Sequence, residues 1–214
     1  MILSQNKSVS ITFCGYLQGK VEMSLPGQKT TATYLEWDLF LSLVAKLERD
    51  RLYKFALLIR IGTYTGLRIS DLLALTWTQF DQTEYLVVRE GKTGKTRNIR
   101  LNKDLIESIE RLKVKIEPND PRIFVNKYGT RTINIHYVNS TLKAIFRKYG
   151  IKVNGNVSSH LFRKTLGRRV VEQNNYSGES LILLSELFGH TSVAITRRYL
   201  GLRQEEIHSI YENL

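Results

Sequence analysis

The chain has 214 residues, with 32 lysines and arginines against 20 aspartates and glutamates, a net charge of +12 and a pI near 9.8. It is long enough to bury one large core, and the basic excess points to a polyanionic partner, nucleic acid before an anionic membrane surface. A single cysteine, Cys14, excludes an intrachain disulfide, no His/Cys cluster has metal-ligand spacing, and no apolar run has the length of a signal peptide or a membrane span; we expect a soluble, cytoplasmic protein with no membrane partner.

Residues 1–30 read as an N-terminal arm or linker, loosely alternating and ending near Pro26-Gly27. From Thr33 the period changes to that of helices. Thr33-x-x-Glu36 is a capping-box pattern, and Leu35, Leu39, Leu43 and Leu47 mark one face of a first helix. A second helix is predicted over 51–64 with a stop at Gly66, and a third over 69–75 with Leu72, Leu73 and Leu75 inward. EYLVVRE and KTRNIRL, joined by Gly91-Lys92-Thr93-Gly94-Lys95, predict an antiparallel hairpin. A helix over 103–115 and a short third strand, RIFVN, follow. The remainder reads as helices over 134–149, 158–174, 179–188, 192–200 and 203–212, with Gly150, Gly178, Gly189 and Gly201 at or near the breaks. The expected fold is mainly α with a small antiparallel β-sheet, an α+β domain over 31–214.

Four stretches carry groups capable of chemistry. In TGLRISD, Arg68 opens a helix, where an arginine fork suits phosphate oxygens, and Asp71 three residues on is placed to hold it. In EGKTGKTRNIRL, Lys92, Lys95 and Arg97 cluster on a glycine-containing turn that can meet a DNA backbone; the phosphate-loop pattern GxxxxGK[ST] is absent, which excludes that mode of nucleotide binding. In SSHLFRKTLGRRVVEQ, Ser158 or Ser159 can cap a helix on which His160 and Arg163 share a face. In LFGHTSVAITRRYLG, His190 stands nine residues before Tyr199, behind Arg197 and Arg198. Nine residues of straight helix cover about 14 Å, so His190 and Tyr199 converge only if the chain bends between them. Each stretch alone is also what an ordinary solvated helix or turn presents. Together they offer two arginines, a lysine, two histidines and a tyrosine, an inventory suited to phosphoryl transfer without a metal, in which tyrosine is the nucleophile.

The order Arg…Lys…His-x-x-Arg…His…Tyr resembles that of the tyrosine recombinases, the lambda-integrase family of site-specific DNA recombinases related to phage integrases and Xer proteins. The resemblance runs from about Thr33 to Leu214. It implies a tyrosine recombinase catalytic-domain fold, with Arg68, Lys92, His160, Arg163, His190 and the nucleophile Tyr199 as catalytic residues, Asp71 in support, and Lys95, Arg97, Arg197 and Arg198 toward DNA. It further implies that Arg68 and Arg163 bind the scissile phosphate, that the histidines orient it, that Tyr199 forms a 3′-phosphotyrosyl link, and that Lys92 protonates the 5′ oxygen. No cofactor, metal or ATP is implied. The implied partners are double-stranded DNA with a specific recombination site, three further copies in a tetrameric synapse joined through the C-terminal helix, and an accessory DNA-bending protein.

The chain departs from the family pattern twice. Most relatives carry glutamate where this chain has Asp71, and many place a helical core-binding domain ahead of the catalytic domain, for which residues 1–30 are too few. A short self-contained recombinase and a catalytic domain of a longer integrase both fit. Two other functions use the same residue types: relaxation of DNA by a type IB topoisomerase, and DNA binding without chemistry by a regulator on the same fold.

Overall fold

A computed structural model of the chain describes residues 32–81 and 83–214, with only the backbone for 203–206. The predicted arm, residues 1–30, lies outside the described residues. Among the described residues, nine α-helices and one hairpin follow in chain order: α1 (Trp37–Arg49), α2 (Tyr53–Thr65), α3 (Ile69–Leu73), β1 (Tyr85–Arg89), β2 (Thr96–Arg100), α4 (Lys103–Ile116), α5 (Ile135–Lys148), α6 (His160–Gln173), α7 (Gly178–Phe188), α8 (Val193–Leu200) and α9 (Leu202–Glu212). A short 3-10 turn, Trp77–Phe80, links α3 to β1.

The first helix starts later than its capping pattern predicts. Its N-cap is Glu36, and the Thr33 hydroxyl donates instead to the Tyr34 carbonyl. The cause is tertiary: the Thr33 amide donates to the Asn156 carbonyl and the Leu35 amide to the Thr165 hydroxyl, which holds this segment against α6 and the residues just before it. The face itself forms as the leucine spacing requires, with Leu35, Leu43 and Leu47 buried and Leu39 packed beside them.

α2 is the central helix. Eight of its thirteen residues are buried, so it packs on several sides and not on one stripe. It ends at Gly66, which takes a left-handed conformation (φ 60°) and donates to the Gly62 carbonyl. The turn aims the Gly66 carbonyl away from α2 toward α6.

β1 and β2 pair antiparallel, with Tyr85 opposite Arg100 and Arg89 opposite Thr96. RIFVN does not extend this sheet. Its ends make single bridges, Arg122 to Thr76 and Val125 to Thr132. Ile123, Phe124 and Val125 are all buried, so the segment threads through the core and lacks the alternation of a sheet strand.

The apolar residues form two clusters. The larger joins α1 to α5 and the start of α6; the smaller gathers Val171, Leu181, Leu184, Phe188, Leu200 and Leu202. No helix among the described residues is long and apolar enough to cross a membrane.

Candidate active site

Arg68 is the N-cap of α3, with extended dihedrals (φ −66°, ψ 148°). Its side chain therefore leaves the helix start sideways, and the helical three-residue spacing to Asp71 does not apply. The carboxylate that Arg68 meets is Glu90, whose Oε2 accepts from Nη1 at 2.7 Å; Nη2 donates to the Phe188 carbonyl at 3.3 Å. Asp71, expected to hold Arg68, instead accepts the Gly91 amide at 3.0 Å. It ties α3 to the hairpin.

The hairpin turn is closed by two backbone bonds, Glu90 amide to Lys95 carbonyl and Gly94 amide to Glu90 carbonyl, at 2.9 and 2.8 Å. Gly94 has φ 69°, a conformation that costs an L residue about 1–2 kcal/mol. Inside the turn, Thr93 Oγ1 donates to Glu90 Oε2 at 2.8 Å, and Arg97 Nη1 donates to Glu90 Oε1 at 3.3 Å. Burial pushes the Glu90 carboxyl up, but its hydrogen bonds from Thr93, Arg68 and Arg97 outweigh that and hold it below the ordinary value. Lys92 and Lys95 are exposed on the turn. Arg97, expected to face DNA, is turned inward to Glu90 and to the Thr65 carbonyl, because its strand position pairs with the buried Val88 beside that carboxylate.

On α6, His160 is the first helical residue and Arg163 follows one turn later. Ser159 occupies the N-cap without a side-chain cap bond; its amide donates to Asn139. Arg163 is 6 % exposed, yet its partners are carbonyls: Nη1 donates to Gly66 at 2.6 Å and Nη2 to Phe188 at 3.0 Å. Its guanidinium also lies 4.6 Å from the Phe188 ring centroid. A buried cation that makes no ion pair among the described residues keeps its charge available to an anion. Burial lowers the His160 pKa, with the charges of Arg163 and Lys164 adding to the effect.

The bend required between His190 and Tyr199 is present. α7 stops at Gly189 (φ 61°), and α8 begins only after Ser192, whose hydroxyl caps the Ile195 amide. His190 Nδ1 is 2.9 Å from the Thr196 hydroxyl, and the His190 and Tyr199 rings stand 5.3 Å apart, edge to face. Burial is the leading cause that lowers the His190 pKa, followed by Arg163 and Arg68. The Tyr199 hydroxyl donates to the His160 carbonyl at 3.4 Å. Burial pushes its pKa up to about 12 despite the opposing pull of Arg163. Arg198 is exposed and Arg197 half-buried on the preceding turn.

Arg68, Lys92, His160, Arg163, His190 and Tyr199 thus line one cavity of about 350 Å³, with Ser159, Phe188 and Gly189 between them. A larger groove of about 790 Å³ at the other end of α2 contains none of the six. The sequence reading missed two groups. Glu90 was signalled only as an acid directly before Gly91-Lys92 in a basic turn; the Phe188 carbonyl, which receives both arginines, has no sequence signal. Among the described residues no group of three or more His, Cys, Asp or Glu is placed to hold a metal ion.

Residues 35–206 match the family model of the phage integrase family. Among curated proteins, the chain is 31% identical over 161 residues to tyrosine recombinase XerA of Pyrococcus horikoshii, covering 74% of this chain and 53% of that protein. It is 27% identical over 162 residues to tyrosine recombinase XerC of Pseudomonas aeruginosa, covering 72% and 50%. The chain spans about half the length of these curated relatives. Among solved structures, XerA recombinase superposes with a TM-score of 0.62 at 23% identity, covering 86% of this chain and 65% of that one. Lambda integrase(75-356), solved as a dimer bound to a COC' core site, gives 0.60 at 21% identity, covering 81% and 60%. These likenesses match the mainly helical fold with its small antiparallel sheet.

Proposed function

The chain belongs to the phage integrase family, and we propose that it acts as a site-specific DNA recombinase that cuts and rejoins strands through a 3′-phosphotyrosyl intermediate. The observation that carries this reading is the convergence of six side chains, from four separate stretches of sequence, on one cavity of about 350 Å³.

In the proposed reaction Arg68 and Arg163 receive the scissile phosphate. Arg163 brings a charge that is already desolvated, so little reorganisation is needed as negative charge builds on the phosphoryl oxygens. Tyr199 attacks phosphorus: the Tyr199 Oη–P bond forms, the P–O5′ bond breaks, and the phenol proton passes to a neutral imidazole of His160 or His190. Both imidazoles are biased toward the neutral form, which suits them to accept that proton and to hydrogen-bond the phosphate. Lys92 protonates the departing 5′ oxygen. One phosphodiester is exchanged for another, so the bond energy is kept and ATP has no role to play. A 5′-hydroxyl of a partner duplex reverses the step.

Double-stranded DNA is the proposed partner, with Lys95 and Arg198 as exposed backbone contacts and Arg97 removed from that role by its inward pairing. Lambda integrase is known as a tetramer bound to a Holliday junction, which supports a tetrameric synapse here. Ile210, 62 % exposed on α9, is the surface we assign to a neighbouring protomer. Cytoplasmic DNA, reached with an accessory DNA-bending protein, completes the proposal.

The test is covalent trapping on nicked suicide duplexes tiled from the DNA flanking the gene, comparing the chain with Tyr199→Phe on denaturing gels. A denaturation-resistant adduct that requires Tyr199 supports the reading. Binding without any adduct would favour a regulator, and relaxation of a single supercoiled circle without joining two sites would favour a topoisomerase.

A further inference from the structure

The turn that carries Lys92 is built around one carboxylate. Glu90 accepts hydrogen bonds from three side chains that approach from different directions: Arg68 at the start of α3, Thr93 within the turn, and Arg97 on β2. Its backbone closes the same turn twice, to Lys95 and to Gly94. Its side chain is 7 % exposed, whereas the six residues 91–96 that follow it are exposed. Among the hydrogen bonds of the described residues, the Gly91 amide bond to Asp71 is the one that ties the turn to the rest of the protein without passing through Glu90. Lys92 itself makes no ion pair among the described residues. Its direction is therefore set by the loop beneath it.

From this geometry we infer that Glu90 is a positioning residue for proton donation by Lys92, holding the turn in register with Arg68 so that the ammonium and the guanidinium address the same phosphate. This rests on the reaction proposed above. A lysine side chain on a loose turn samples many directions, and general acid catalysis requires hydrogen-bond reach of the leaving oxygen. Anchoring the turn on Arg68 links the proton donor to the residue that fixes the phosphate.

The effect can be separated from a contribution to folding or to phosphate binding by changing the leaving group. If sulfur replaces the 5′ oxygen at the scissile bond, the thiolate departs without a proton, since thiols ionise near pH 8.5. Glu90→Ala and Glu90→Gln should cleave the ordinary suicide duplex about 100-fold or more slowly, the low end of what a positioned general acid contributes. On the sulfur duplex both should return to within about 3-fold of the unsubstituted chain, as should Lys92→Ala. Glutamine keeps the volume and one acceptor oxygen, so it reports on the anchor even where alanine loosens the fold. Near-normal cleavage of the ordinary duplex by Glu90→Gln and Glu90→Ala overturns the inference. So does a deficit that sulfur repairs in Lys92→Ala but leaves in the Glu90 variants, which would place Glu90's effect on Arg68. If sulfur fails to repair Lys92→Ala, the role given to Lys92 falls, and that outcome is distinct from the other two. A second arm needs no DNA substrate: trypsin should cut after Lys92 and Lys95 several-fold faster in Glu90→Gln, because cleavage follows the population of the open turn. Unchanged cutting shows that Glu90 does not hold the turn, whatever the reaction.

Discussion

Arg163→Ala tests whether the buried cation contributes to the fold as well as to chemistry. In the folded chain Arg163 clamps the end of α2 to the end of α7 through the Gly66 and Phe188 carbonyls. Alanine leaves the Gly66 carbonyl without that donor, at about 1–3 kcal/mol. The Phe188 carbonyl retains Arg68, so it adds little. Loss of the contact with the Phe188 ring, 4.6 Å from the guanidinium, costs about 1–2 kcal/mol. Relief from burying a charge that meets no carboxylate works the other way. We expect a net loss of about 2 kcal/mol, with a fall in Tm on the order of 4–8 °C for a domain of this size. Urea unfolding at pH 7.5 should show a lower midpoint with an unchanged slope, while adduct formation falls by about 10³. A variant as stable as the starting chain, or more stable, would refute this reasoning. It would mean that desolvation of the guanidinium outweighs both bonds, and that the fold tolerates Arg163 at its own expense.

Other outcomes follow from the same geometry. Arg68→Ala should lose adduct formation by several orders of magnitude in a trapping assay, yet keep most of its DNA affinity in a gel shift, because one phosphate contact among many matters little to binding and much to the transition state. His160 and His190 both have folded pKa values below the ordinary 6.5, so the stability they contribute is present above pH 6.5 and is lost as pH falls through their folded values. Urea midpoints should therefore drop below pH 6.5, with a shallower drop in the His160→Gln, His190→Gln double variant. Gly167→Ala would set a Cβ 2.5 Å from Leu200 and 3.2 Å from the Phe188 ring; calorimetry should show a loss of about 1–3 kcal/mol, and adduct formation should fall because Leu200 carries Tyr199 beside it.

Some of this protein was legible without coordinates. The leucines at every fourth position fix the first helix, Gly66 and Gly189 end helices because they tolerate a left-handed backbone, and two β-prone runs joined by a glycine-containing turn mark the hairpin. These are local rules of sterics and periodicity. The six residues that line the cavity were singled out through their local patterns and a family likeness, and nothing in the spacing of His190 and Tyr199 alone required them to meet. What failed also has a local cause. RIFVN has strand-like composition, but its backbone partners are scattered single bridges. The Thr33 cap lost to tertiary hydrogen bonds that the Thr33 and Leu35 amides donate to Asn156 and Thr165.

Only the tertiary structure could decide which charges meet. Arg68 stands three residues from Asp71 and twenty-two from Glu90, yet it pairs with Glu90. Both arginines converge on a carbonyl at Phe188, a hundred and twenty residues from Arg68 along the chain. Backbone conformation is set by interactions over a few residues, so sequence displays it directly. Ion pairs and buried donors are chosen by distance in space, and a chain that returns to the same point from four stretches settles them only when it has folded.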